Sequence, residues 1–142
     1  MDLKKFALGG IIAGIAHFFL GWLVWGILLM NIMLKHTSSG ALAVFRESDK
    51  MIWWAMIAGN LAAGFLLCYI LMKSAVRTVM NGAVTGAVVG LLNSVAMNCI
   101  AYAQMKIYGK FAMTIDVIAS IVVVSIVGAI LGWFLGRGPN AS

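Results

Sequence analysis

The stretch Phe6–Leu34, FALGGIIAGIAHFFLGWLVWGILLMNIML, decides how the rest of the chain is read. It is one long apolar run, and the interruption that matters is His17. At about 1.5 Å per residue it predicts a helix of roughly 43 Å, longer than a hydrocarbon core of about 30 Å. Such a helix crosses a bilayer with tilt and still projects a turn or two beyond it. Lys4 and Lys5 give the short basic start of a signal peptide. The apolar run, however, far exceeds a signal core of about 7–15 residues and ends in no A-x-A site. It is read as an uncleaved first transmembrane helix.

Working outward, three more apolar segments are long enough to span: Met51–Met72, Val79–Gln104 and Met113–Gly136. The expected fold is all-α, a four-transmembrane-helix bundle formed by a single membrane domain, residues 1–142. The first connection, Lys35–Lys50, holds most of the charge, and its middle, Gly40–Phe45, is expected to lie along the interface as a short helical turn. The tail, residues 137–142, carries Gly138-Pro139-Asn140, which breaks the last helix; it is expected to be disordered.

The bulk numbers agree. Hydrophobic residues make up 63% of the chain and charged ones 10%, with a mean hydropathy of +1.05. Soluble domains carry about 25% charged residues. The net charge of +6 does not mark a nucleic-acid binder, because lysine and arginine sit singly at the ends of apolar segments, where they anchor helices. The partner that composition implies is the lipid bilayer. Lysines and arginines divide five against five between the two sides, so their count does not set the orientation. The leading lysines of the first helix favour cytoplasmic termini, in a bacterial inner membrane.

Small residues recur at four-residue spacing: Gly10 and Gly14, Gly59 and Ala63, Gly82, Gly86 and Gly90, Gly128, Gly132 and Gly136. That spacing puts each set on one helix stripe, where backbones approach closely enough for van der Waals contact. The stripes either hold the bundle together or face outward, towards a second copy in a homo-oligomer or a partner membrane protein.

Polar groups are unevenly spread. His17 lies deep in the first segment, about 16 Å from its start. Asn60 and Asn93 lie near mid-span, and Asn98, Asp116 and Ser120 in the half away from the termini. Ionisable groups at bilayer depth mark function by default. The pattern suits a cavity open at that end, binding a small molecule or ion, with His17, Asn60 and Asn93 at its floor and Asp116 with the tryptophans at its mouth. The same amides and imidazole also serve as hydrogen-bonded links between helices. Asp116, which follows Thr114, is read first as the N-terminal cap of the last helix.

Other chemistry finds little support. His17 and His36 lie about 28 Å apart along one helix, which excludes paired haem ligation within the chain. Zinc lacks ligands, since Cys68 and Cys99 fall inside apolar segments and are read as buried free thiols. Met30, Met33 and His36 share a face at three-residue spacing and are weak candidates for a soft metal such as Cu(I). No cofactor is implied. No set of residues supplies nucleophile and base together, so the expected role is not enzymatic.

The chain resembles a family of short four-helix bacterial integral membrane proteins of uncharacterised function. The resemblance rests on G-W-x-x-W at Gly21–Trp25, Ala58-Gly59-Asn60, the glycine steps with Asn93, and Gly128-Ala129-Ile130-Leu131-Gly132. The tyrosine that such families generally show after the first tryptophan is absent here. The resemblance implies the four-helix fold and no activity.

Overall fold

A computed structural model describes residues 2–43, 46, 48–106 and 109–137. Four helices in it are long and apolar enough to cross a membrane. The first is α1, Leu3–Leu23, capped by Asp2, whose carboxylate accepts from the amides of Lys4 at 3.0 Å and Lys5 at 3.2 Å. It runs straight into a π-helical turn, Val24–Leu28, closed by Leu29 N–H donating to the Val24 carbonyl at 2.8 Å. Helix α2, Met30–Lys35, continues beyond it. The single helix expected over 6–34 is therefore interrupted, and nothing in the apolar run signals the wide turn.

A short helix α3, Ser39–Leu42, begins the charged connection, and Ser48–Lys50 form a 3-10 turn. The interfacial turn expected over Gly40–Phe45 is met in part by α3; residues 44 and 45 lie outside the described residues. The other spans are α4, Trp53–Lys73, α5, Val79–Gln104, and α6, Lys110–Gly136. The bounds of α5 match the sequence reading, and Thr78 caps it by accepting from the Asn81 amide at 3.2 Å. Helix α6 starts a turn earlier than Met113. The expected disordered tail falls, from residue 138 on, outside the described residues.

A tight turn joins α4 to α5. Val76 N–H reaches back to the Leu71 carbonyl at 3.0 Å, while Ala75 takes φ 52°, a left-handed conformation that glycine usually supplies.

The spans pack as two antiparallel pairs, α1 with α4 and α5 with α6, and the pairs meet mainly along α1 and α6. Leu67, Leu71, Val127, Leu131 and Leu135 are buried where they meet, with Cys68 among them. Cys99 is exposed instead of buried, and both thiols are free. The chain thus presents an integral membrane protein whose main buried cluster lies towards the end bearing the termini, called proximal below. Apolar side chains on the outer faces stay exposed, as lipid contact requires; Trp54, Leu92 and Phe19 are examples.

The glycine stripes explain the pairing. On α5 and α6, a Cβ at Gly82 would strike the Gly128 carbonyl, and one at Gly132 would strike that of Thr78. Backbone meets backbone, the close approach that substitutes for a hydrophobic force in lipid. On α1 and α4 the partner of Gly10 and Gly14 is Gly64. Gly59, expected in that stripe, faces open space instead.

Candidate functional site

The distal half, away from the termini, holds the polar groups. Gly14 still packs against the backbone of Asn60 and Leu61. One turn further the stripe ends, α1 and α4 separate, and a cavity of about 510 Å³ opens between them. His17 and Asn60 line its deep end. Phe18, Trp22, Trp25, Trp53 and Met56 form its walls, and Met30 and Met51 lie near its distal limit. The thirteen residue steps from His17 to Met30 correspond to about 20 Å along the helix.

Asn60 donates one amide hydrogen to the Met56 carbonyl at 2.8 Å, which leaves its other hydrogen and its oxygen for a guest. His17 is half-buried, and among the described residues no protein group bonds its ring. A ligand here meets one imidazole and one amide at the floor, and indole faces along the sides. That is the usual composition of a small-molecule site, mostly apolar with a few placed polar groups.

Asp116 sits beside this cavity, not at its mouth, and it caps no helix. It lies within α6, about 9 Å along from Lys110. Its carboxylate accepts from Trp25 Nε1 at 2.8 Å, Asn98 Nδ2 at 2.7 Å and Ser94 Oγ at 3.2 Å. The Asn98 amide also donates to the Ser94 carbonyl at 2.9 Å. These donors offset the cost of taking a carboxylate out of water. They also tie three spans together: Trp25 follows α1, Ser94 and Asn98 belong to α5. Trp25 is thus both a cavity wall and a tether, and the π-helical turn that contains it is the kind of irregularity common at functional sites. The sequence reading placed the tryptophans near Asp116 at the cavity mouth, but it missed the bond from Trp25, and it missed Ser94. Ser94 is buried, one turn beyond Gly90 on the same stripe. That four-residue continuation is the signal that could have found it.

Of the five residues expected to bind together, the structure assembles His17 with Asn60, and separately Asn98 with Asp116. Asn93 joins neither: it is exposed on α5, a helix that does not line the cavity. The soft-metal set also divides. Met30 lines the cavity, the Met33 carbonyl accepts from Thr37 Oγ1 at 2.7 Å, and His36 lies in a different pocket with its ring 4.8 Å from that of Phe111. Met51 and Met56 share the cavity with Met30, but the spread of the thioethers and His17 along its length does not gather them around one ion.

Compared with protein-family models, curated proteins and solved structures, the chain matches none.

Proposed function

We propose that this protein is a non-enzymatic membrane protein that binds a small molecule or ion in the cavity between α1 and α4, as a carrier, sensor or small transporter. The carrying observation is that His17 and Asn60 both line a cavity of about 510 Å³ walled by tryptophan. His17 and Asn60 supply orienting hydrogen bonds, and the indoles supply apolar area and flat faces for a planar or cationic group. Asp116 acts through Trp25, holding one wall in place. The cavity faces outward if the termini are cytoplasmic, as the leading lysines favour in a bacterial inner membrane. Kinship with the uncharacterised four-helix family is part of this proposal and adds no activity to it.

Native mass spectrometry of the protein in mild detergent tests the reading. A retained small mass is expected, with occupancy falling about tenfold in His17→Ala, the loss of one well-placed polar contact. A protein that carries no small mass, or one whose bound mass ignores His17→Ala, sinks it.

Asn93 and Gly59 favour a second reading, a structural or assembly subunit or a homo-oligomer. An amide near mid-span on an exposed face gains by meeting a partner in lipid, and a glycine facing open space leaves room for one. Co-purification of a second membrane protein, lost in Gly59→Leu and kept in His17→Ala, would establish it.

A further inference from the structure

A second pocket, of about 490 Å³, lies at the distal rim, where the end of α2 meets the chain leaving α5. Lys35, His36, Thr37, Ser38, Tyr102 and Lys106 line it. Its walls are fixed to each other: Ser38 Oγ donates to the Lys106 carbonyl at 2.6 Å, and Gly109 N–H donates to the His36 carbonyl at 3.1 Å. Thr37 Oγ1 bonds back to its own helix, and His36 Nδ1 lies 2.9 Å from the Ile32 carbonyl.

Two lysines, Lys35 and Lys106, line this pocket, and among the described residues no carboxylate does. The chain has four acids. Asp2 caps α1 at the other end of the molecule, and Asp116 is engaged by Trp25, Ser94 and Asn98. Asp49 does not line the pocket, and Glu47 lies outside the described residues. Among the described residues Lys35 and Lys106 have no acidic partner. Like charges brought to one pocket repel unless an anion sits between them. The pocket also stands at the ends of two spans, beside an exposed tyrosine, the level at which phospholipid phosphates lie.

We infer that the rim pocket binds a phosphate-bearing anion, held by Lys35 and Lys106. Charge-assisted hydrogen bonds from the two ammonium groups would hold the phosphate oxygens, with the Tyr102 hydroxyl as a further donor. A lipid headgroup or a free phosphate provides the same chemistry. The site is independent of the His17 cavity.

The test offers the full-length protein, in mild detergent, phosphatidylglycerol or phosphatidylcholine at equal concentration, and counts bound lipid by native mass spectrometry. Preference for the anionic lipid is expected, with retention falling about tenfold in Lys35→Ala/Lys106→Ala and unchanged in Lys4→Ala/Lys5→Ala. Displacement of the lipid by millimolar inorganic phosphate, dependent on the same lysines, assigns the site to the free anion. Equal retention of the two lipids by the wild-type protein, together with no retained inorganic phosphate, overturns the inference even if the double variant fails to fold. So does a folded double variant that holds phosphatidylglycerol as the wild type does.

Discussion

The two helix pairs begin alike and end differently. In α5 and α6, glycine contacts run from Gly136 and Gly82 to Gly90, and then Ser94, Asn98 and Asp116 close the distal half with hydrogen bonds. In α1 and α4, glycine contacts end at Gly14, and the distal half opens into the cavity floored by His17 and Asn60. Polar residues follow the small-residue stripe in both pairs. In one they satisfy each other; in the other His17 has no protein partner among the described residues. A polar group that is satisfied within the fold serves stability, and one left facing a cavity is available to a ligand.

The contrast can be broken most forcefully at Gly128. Gly128→Leu drives a side chain into the backbone of α5 and should cost about 3 kcal/mol, the upper range for overpacking, or prevent assembly. Equilibrium unfolding in mixed micelles measures it; an unchanged midpoint means the pair is not in backbone contact. Next is Asp116→Ala, which strands the donors of Trp25, Asn98 and Ser94 and should cost about 2 kcal/mol. Asp116→Asn keeps one acceptor oxygen and should cost less; equal losses from both would mean the hydrogen bonds are not what holds this half closed.

The smallest effects sharpen the α1–α4 side. Gly64→Ala meets the backbone of Gly10 and Gly14 and should destabilise by about 1–2 kcal/mol. Gly59→Ala meets open space and should stabilise by up to about 1 kcal/mol through helix propensity alone. If Gly59→Ala destabilises as Gly64→Ala does, that face is occupied in the native assembly.

The four spans were legible because twenty apolar residues in a row admit few alternatives. His17 and Asn60 were expected at one level, and both line the cavity between α1 and α4. Rotation about each helix axis was not legible. Asn93 shares a depth with them, yet its helix faces α6 and leaves it exposed. Asp116 was misread because its helix starts at Lys110, not Met113, which moves the carboxylate from the cap into the span. Cys99 was taken for buried on hydropathy alone, which in lipid marks the outer surface as well as the core.

The wide turn at Val24–Leu28 has a consequence for everything downstream of it. An i→i−5 bond takes one more residue into the turn than an α-helix would, and each residue advances the helix by about 100°. Lys35 and His36 therefore stand about 100° around the axis from where an unbroken helix would leave them. The placing of a basic rim thus depends on residue count as well as residue type. A single-residue insertion or deletion between His17 and Lys35, neutral by hydropathy, would re-aim the rim while leaving the span intact.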